Sequence, residues 1–415
     1  MLPGEDLTGG RSTGRLHRTR PGQASCLAVA VLASACAIAG TPRPTQPDLG
    51  GLDLTGYGGQ ALSAPADTTY GGLLESARMS EAMVSPGAID PALRTVAAAP
   101  VPAPAAAVGI LADATVGDLA RYGMLAGFSI GGTDADSGPP QPGTSRSVRL
   151  TVLRMHDETA AIDAARRIDA DDAAVNRDNV DIPFPEYFAT YGHWRPYVAS
   201  MAATLAHGPF VVTLYITAAS TDRTALRAMA TATFDAELPR LDAFAPTPAE
   251  ALSALPLDPA GMLSRILPAD PGKWPYPEVF VHDDSRIAGW GGQRDATGVV
   301  YGPVEAAAWS GFADAAPETM AVAGSTHLLR FSDAVAARKA LLRRKAATQS
   351  QFAASPPGIP DALCLADRAV EANGDAQAVT CLVLHGRYLA VVYGPDETTA
   401  HRKASAQYAL LVRAT

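Results

Sequence analysis

Two stretches of this sequence, His207–Ile216 (HGPFVVTLYI) and His385–Gly394 (HGRYLAVVYG), decide the fold. Each opens with a His-Gly pair, which is typical of a tight turn, and continues into aliphatic, β-branched and aromatic residues that favour a strand. A further strand is predicted before each pair, so each stretch forms the second half of a hairpin. The two stretches lie about 178 residues apart.

The segments that precede these hairpins repeat at nearly the same distance. Ser147–Met155 (SVRLTVLRM) alternates as a strand does, and Asp157 is placed to cap the helix that follows. Thr326–Phe331 (THLLRF) is the corresponding predicted strand, and Ser332 is the predicted cap of the next helix. The sequence therefore predicts an α+β fold: two tandem repeats of a mostly antiparallel sheet with helices on one face.

Changes in composition divide the chain into five segments. Val96–Val108 (VAAAPVPAPAAAV) is predicted to be a polyproline-type linker ahead of the first repeat, and a connector punctuated by prolines separates the repeats. The predicted segments are a leader over residues 1–35, a tether and arm over 36–107, a first α+β domain over 108–245, a connector over 246–267 and a second α+β domain over 268–415.

The start of the chain resembles an export signal. Four arginines precede an apolar run that ends in Ala33-Ser34-Ala35-Cys36, and small residues before a cysteine are what lipoprotein processing requires. The run is shorter than the roughly 20 residues that a membrane-spanning helix needs. We therefore expect cleavage before Cys36, lipid attachment at Cys36 and a location on the outer face of the cell membrane. Secretion without a lipid is the open alternative, because the same small residues also suit an ordinary signal peptidase.

Composition argues against some classes of partner, and the motifs indicate no cofactor. The formal net charge of −9 argues against binding to nucleic acid and against a polybasic grip on anionic lipid. Neither S-x-x-K nor H-E-x-x-H occurs. We accordingly predict no catalytic residue, no metal site and no cofactor.

Cys364 and Cys381 are the only cysteines outside the leader region. In an exported protein an isolated pair is most simply a disulfide. If residues 371–374 form a four-residue hairpin loop, Cys364 and Cys381 face each other across neighbouring strands. The sequence therefore predicts a disulfide between them.

Several longer motifs resemble an uncharacterised actinobacterial family of exported lipoproteins, of the mycobacterial and nocardial type. The motifs are LDLTGYGGQ at residues 52–60, LLESARMSEAMV at 73–84 and LDAFAPTPAEALSALPLDPAGMLSRILP at 241–268, together with HGPFVVTLYI. The resemblance covers most of the chain after Cys36. It implies an exported lipoprotein with two domains, and it carries over no catalytic residue.

An aromatic segment at residues 184–197 (FPEYFATYGHWRPY) is the candidate site. It places six rings in 14 residues, whereas the corresponding loop of the second repeat (SPPGIPDAL) has none. Aromatic rings supply contact area for an apolar ligand, a sugar or a protein, although they also serve as a lid over a domain core. The candidate contacts with a ligand or partner are Tyr187, Tyr191, His193, Trp194 and Tyr197.

These observations favour a non-catalytic module of the cell envelope that binds a ligand or another protein. An envelope enzyme whose active site is not recognisable from sequence is the alternative. A groove where the two repeats meet is the natural binding surface. We expect the aromatic segment to overhang this groove, with Tyr191 and Trp194 as anchors.

Overall fold

A computed structural model of the chain describes residues 47–136, 139–282, 293–309, 311–348, 351–366 and 378–414. The predicted leader, its cleavage site and Cys36 lie outside these residues. Within them, no helix is both long enough and apolar enough to cross a membrane.

The first repeat is built on a seven-stranded sheet in which every neighbouring pair is antiparallel. Its strand order is β1-β2-β3-β7-β6-β5-β4. The strands are β1 (Arg94–Pro100), β2 (Ala126–Thr133), β3 (Ser147–Arg154), β4 (Val180–Asp181), β5 (Tyr191–Trp194), β6 (Ser200–His207) and β7 (Phe210–Thr217). The helices are α1 (Gly71–Met79), α2 (Pro86–Ile89), α3 (Asp113–Leu119), α4 (Glu158–Ala174) and α5 (Arg223–Ala243).

The second repeat has a sheet of the same size, direction and order, β10-β11-β12-β16-β15-β14-β13. A separate hairpin, β8 (Glu278–His282) and β9 (Gln293–Thr297), precedes it. The strands are β10 (Val299–Tyr301), β11 (Thr319–Ala323), β12 (Thr326–Arg330), β13 (Gln351–Ala353), β14 (Ala362–Ala366), β15 (Val379–His385) and β16 (Tyr388–Gly394). The helices are α6 (Pro303–Trp309), α7 (Ala334–Ala347) and α8 (Glu397–Arg413).

The α+β class and the tandem duplication are confirmed, down to the pairing of individual residues. Arg154 of β3 pairs with Phe210 of β7, and Arg330 of β12 pairs with Tyr388 of β16. The repeated His-Gly turns therefore occupy the same corner of each sheet. The first repeat contains four strands more than the three that were predicted for it, and the second contains three more than the four that were predicted.

The long helices begin at aspartate caps. The Asp157 carboxylate accepts the N–H of Ala160 at 2.8 Å, as expected. In the second repeat the cap is Asp333, which accepts the N–H of Ala336 at 2.8 Å, and not Ser332 as predicted. Asp333 is the last residue with an extended backbone, so its carboxylate is the group that reaches the first turn.

The helices lie on both faces of each sheet, which differs from the expected arrangement on one face. In the first repeat α4 packs on the side that carries Leu153 and Val211, while α5 packs on the side that carries Val152 and Val212. In the second repeat α7 and α8 divide the two faces of the sheet in the same way. Adjacent apolar residues on a strand point to opposite faces, so both faces need a cover.

The segment predicted as a polyproline linker contains the edge strand β1. Ala98 pairs with Ile130, and Pro100 pairs with Phe128 at the end of the strand. An edge strand tolerates proline because one of its sides has no ladder to complete. The first sheet therefore begins at Arg94, ahead of the boundary expected at residue 108.

One apolar cluster joins the two repeats. The rings of Phe128 on β2 and Tyr301 on β10 pack edge to face with their centroids 6.5 Å apart. Residues 71–84 lie against both repeats, since the Val84 N–H donates to Glu237 and the Gly302 N–H donates to the Ser80 hydroxyl. The described residues thus share a core and belong to one compact unit.

Candidate functional site

The aromatic segment lies at the β4–β5 edge of the first sheet, opposite the edge formed by β1. Alternation along β5 points Tyr191 and His193 towards the α4 face and Trp194 towards the α5 face. The predicted contact residues are therefore divided between two surfaces. They do not form one continuous patch.

His193 is buried and held by two carboxylates of α4. Its Nδ1 lies 2.9 Å from an Asp169 oxygen and its Nε2 lies 3.3 Å from an Asp172 oxygen. Burial disfavours the imidazolium, but the two hydrogen-bonded carboxylates outweigh burial and raise the pKa of His193 to about 9. His193 is therefore a positively charged clamp between β5 and α4, with both ring nitrogens occupied.

Phe184 and Tyr187 support the core. Both rings pack edge to face on Phe234 of α5, and the Tyr187 hydroxyl donates to Asp235 at 2.5 Å. Burial and this carboxylate raise the pKa of Tyr187 to about 12. A Cβ on Gly192 would lie 2.6 Å from the Phe184 ring, so Gly192 provides the space that Phe184 occupies.

The second repeat uses the corresponding sheet position for its disulfide. Gly192 pairs with Ala203 in the first sheet, and Cys364 pairs with Cys381 in the second. The predicted disulfide is confirmed, with the two Cα atoms 4.1 Å apart. Ring packing in one copy and a covalent bond in the other thus occupy the same place. This correspondence explains why the second repeat lacks the rings.

Trp194, Phe188 and Tyr197 are exposed to different degrees. Trp194 is half-buried and carries the Arg223 guanidinium 5.9 Å from its ring centroid. Phe188 and Tyr197 are 95% and 94% exposed, and Tyr197 has a left-handed backbone (φ 71°) that is uncommon outside glycine. The part of the segment that can meet a partner is therefore the pair Phe188 and Tyr197.

Side chains that could perform acid–base chemistry are present, but a nucleophile does not accompany them. His207 Nε2 contacts Asp242 at 2.7 Å, and His193 is occupied as above. Among the described residues, no serine, threonine or cysteine side chain hydrogen-bonds to either histidine. Within the described residues, the geometry therefore provides a base and an orienting acid without a paired nucleophile. Ser129, the serine of a G-x-S-x-G match at residues 127–131, is buried inside β2 and hydrogen-bonds to Thr151 at 2.8 Å.

One group of metal-type ligands occurs in the described part of the chain. Cys364, Cys381 and His401 place their ligand atoms within 4.8 Å of one another. The two sulfurs are joined in a disulfide and are therefore not thiolates, which are the form that binds metal.

A cavity of about 510 Å³ lies where the two repeats meet, and we call it the junction cavity. The first repeat contributes β1 and the residues around α2, and the second contributes α6, the turn after it and α7. The lining is Ser85, Gly87, Leu93, Arg94, Thr95, Val304, Ala307, Ala308, Gly311, Phe312, Asp314, Ala315, Ala340, Arg343, Arg344 and Ala347. No residue of the aromatic segment appears in this lining, so the expected overhang is wrong. The segment lies at the far edge of the first sheet.

The junction cavity combines an apolar floor with a charged rim. Leu93, Phe312 and Ala340 belong to the shared core. The Arg343 guanidinium donates to the main-chain carbonyl of Asp314, and Arg94 donates to that of Ala135. Carbonyls leave the arginine charges uncancelled, and the cavity volume is typical of small-molecule sites.

The arginines of this cavity are residues that the sequence analysis missed. The signal was available in the two helices that the duplication makes equivalent. Helix α4 carries five acids and two cations, a net charge of −3, whereas α7 carries five cations and no acid, a net charge of +5. The net charge of the whole chain, −9, does not reveal this difference between the two repeats.

A second cavity, of about 320 Å³, lies beside α4 on the first sheet. Thr151 and Thr213 form its floor, and Asp172, one of the two partners of His193, forms part of its wall. The corresponding floor positions of the second repeat are His327 and Val391. Thr213 also hydrogen-bonds to Thr204 at 2.8 Å, so this hydroxyl row is largely satisfied within the sheet.

The fold and the junction cavity define a tandem α+β protein with a small-molecule-sized cavity between its repeats. The chain belongs to the DUF7373 family. The family model described as "Domain of unknown function (DUF7373) N-terminal" matches residues 62–257, and the corresponding C-terminal model matches residues 262–414.

A solved structure also gives a match. It is the crystal structure of the extracellular domain of PknH from Mycobacterium tuberculosis, with 10% identity and a TM-score of 0.29, over 43% of this chain and 98% of that chain. None of the curated proteins compared with this chain matches it.

Proposed function

We propose that this protein is a cell-envelope lipoprotein that binds a small ligand without chemical conversion. The junction cavity is the observation that carries the proposal. The described residues of its lining include no histidine, cysteine or glutamate, and Asp314 is the only acid among them. Such a lining suits recognition, because acid–base or nucleophilic chemistry usually pairs a nucleophile with a histidine or a second acid, and the described lining has neither.

The position of the cavity adds support. Its two walls come from residues about 250 positions apart in the chain, so it exists only when both repeats are packed together. Pockets between domains are common ligand sites because each side supplies different chemistry. Here the first repeat supplies Leu93 and Arg94 on β1, and the second supplies most of the arginines and apolar residues.

Filling the cavity tests the binding function. Ala308 lies at the exposed part of the lining, so Ala308→Trp should occupy the cavity without disturbing the core. Ala346→Trp is the matched control, because Ala346 is also exposed but lies outside the lining. Native mass spectrometry of the protein extracted gently from its own membranes should show a bound small molecule in the wild type and the control, and not in Ala308→Trp. The same bound mass in all three proteins, or none in any, would refute the proposal.

The envelope location is proposed from the leader. Basic residues, a short apolar run and Cys36 after small residues favour export and acylation. Cys36→Ser should move the protein from the membrane fraction to the soluble fraction, since the lipid is the proposed anchor. Detergent partitioning that is identical for wild type and variant would contradict the anchor and leave secretion as the better explanation.

A further inference from the structure

We propose that the ligand of the junction cavity is a single anionic amphiphile. Its acidic head would lie against Arg94, Arg343 and Arg344, and its hydrocarbon part would lie on the apolar floor. This inference rests on the proposed binding function and adds the chemical class of the ligand.

The first argument is the charge of the cavity. Arg94, Arg343 and Arg344 contribute three positive charges to the lining and Asp314 contributes one negative charge. The whole chain has a formal net charge of −9, whereas these four residues together carry a net charge of +2. Clefts lined by one sign of charge concentrate ligands of the opposite sign.

The second argument is how little these arginines are neutralised. Arg94 has a carboxylate nearby, Asp136 at 3.7 Å, but that aspartate is fully exposed and the pair is screened by water. No carboxylate of the described residues forms an ion pair with Arg343 or Arg344. By contrast Arg338, on the same helix, makes two hydrogen bonds to Asp361 at 2.9 and 2.5 Å. The arginines that line the cavity therefore keep a charge that a ligand can neutralise.

The third argument is the direction of the side chains on α7. Ala340 and Leu341 are buried, and at 100° per residue Arg344 falls on the same side of the helix. Lys339 and Leu342 fall on the outward side, whereas Lys345 lies at the flank of the helix beside Leu341. Both lysines are exposed, and neither is among the described residues that line the cavity. The basic residues of α7 thus divide into a cavity set and a solvent set, which supplies an internal control.

The fourth argument is the floor. Leu93, Val304 and Phe312 provide apolar surface directly beneath the charged rim. A free inorganic anion would leave this surface in contact with water, and a neutral apolar ligand would leave the arginines without a partner. A ligand with an acidic head and a hydrocarbon part satisfies both regions.

Three probes with the same decyl chain and one without a chain distinguish these chemistries. Isothermal titration would use decyl phosphate, inorganic phosphate, decyl maltoside and decyltrimethylammonium, all below micelle-forming concentrations. The protein would be the full chain with Cys36→Ser, so that no attached lipid competes for the cavity. Decyl phosphate should bind at least about tenfold tighter than each of the other three, because only it uses both the rim and the floor. Its affinity should also fall as salt is added.

Two double variants locate the head group. Arg343→Gln with Arg344→Gln should weaken decyl phosphate at least about tenfold and leave decyl maltoside unchanged. Lys339→Gln with Lys345→Gln removes the same charge from the solvent side and should change affinity less than about twofold. Equal losses in both double variants would overturn the inference, because the field of the helix and not the cavity would then be responsible.

The remaining outcomes separate the inference from the proposed function. If decyl maltoside binds as tightly as decyl phosphate and Ala308→Trp abolishes both, the cavity binds ligands but the anionic class is wrong. If inorganic phosphate binds as tightly as decyl phosphate, the site is for a free anion and the inference fails. If no probe binds and Ala308→Trp also leaves the native ligand content unchanged, both proposals fail.

Discussion

Two glutamates are buried beside the segment that joins the repeats. Glu237 of α5 accepts the N–H of Val84 through one oxygen, while its other oxygen has no hydrogen-bond partner among the described residues. Both carboxylate oxygens of Glu305 on α6 are also buried, with the Ser80 side chain as the neighbouring hydrogen-bonding group. Burial raises the pKa of each group to about 8. Both side chains are therefore neutral acids in the folded protein at neutral pH.

These glutamates predict a loss of stability as pH rises. Their carboxyl pKa is near 4.5 in the unfolded chain and about 8 in the folded protein, so the folded state holds more protons between these values. The stabilising contribution is complete below about pH 4.5 and disappears as pH rises through 8, at up to about 1.4 kcal/mol per pH unit for each group. Glu305→Gln should remove one such dependence, making the variant more stable than wild type at pH 7.5.

Urea unfolding at pH 5.5, 6.5 and 7.5 measures this effect. Glu186→Gln is the control, because Glu186 is exposed and its substitution should leave the slope of stability against pH unchanged. The expectation is wrong if Glu305→Gln and wild type lose stability in parallel over this range.

Ion pairing also anchors the first helix. Glu75 of α1 is fully buried and contacts Arg154 at the end of β3 and Arg78 one turn away, each at 2.6 Å. Glu75 also accepts the N–H and the hydroxyl of Thr247 at 2.9 and 2.8 Å. The contacts of Glu75 with Arg154 and Thr247 connect α1 to the sheet and to the connector. The helix is therefore held to the first repeat by directional bonds as well as by apolar contact.

A disulfide joins strands β14 and β15 of the second sheet, whereas the corresponding strands of the first sheet, β5 and β6, have no covalent link. Cys364 and Cys381 are both buried against α8, in the apolar cluster that includes Tyr408. The residues between the two strands lie outside the described structure, so the register of the strands is the evidence for the hairpin. Every pair in this register agrees with the one expected from the sequence.

Removing the disulfide should destabilise the protein by about 3 kcal/mol. The bond closes a loop of 17 residues, and opening it returns conformational entropy to the unfolded chain. Cys364→Ala with Cys381→Ala tests this, with denaturant unfolding as the measurement and reduced wild type as the comparison. Two free thiols in mass spectrometry of the exported protein would contradict the bond itself.

The shared core makes the two repeats interdependent. The apolar cluster that contains Phe128, Phe234 and Leu329 extends from the first sheet to the second. The N-terminal arm strengthens this coupling, because Leu52 packs against the second repeat and Asp53 pairs with Arg402 of α8 at 3.0 Å. The chain therefore contacts the second repeat through its N-terminal arm, then forms the first repeat, and then returns to form the second.

One unfolding transition is therefore expected for the whole chain. Phe128→Ala should cost about 3–5 kcal/mol, and the loss should appear in both repeats although the residue belongs to the first. Hydrogen exchange followed by mass spectrometry should show faster exchange in β6 and in β15 together. Faster exchange confined to the first repeat would show that the repeats unfold separately.

The parts of the fold that the sequence determined by itself are those specified by neighbouring residues. The His-Gly turns, the alternation of β3 and β12, the Asp157 cap and the register of the disulfide hairpin all depend on residues close together in the chain. Strand β1 was missed because a short run of alanines ending in proline becomes a strand only when β2 supplies its partners. The aromatic segment was recognised as unusual, but packing on Phe234 and Gly192 decides that most of its rings serve the core. A groove between the repeats was expected from the duplication, but its lining could not be foreseen, since Arg94 and Arg344 meet only after two sheets have packed across a shared core.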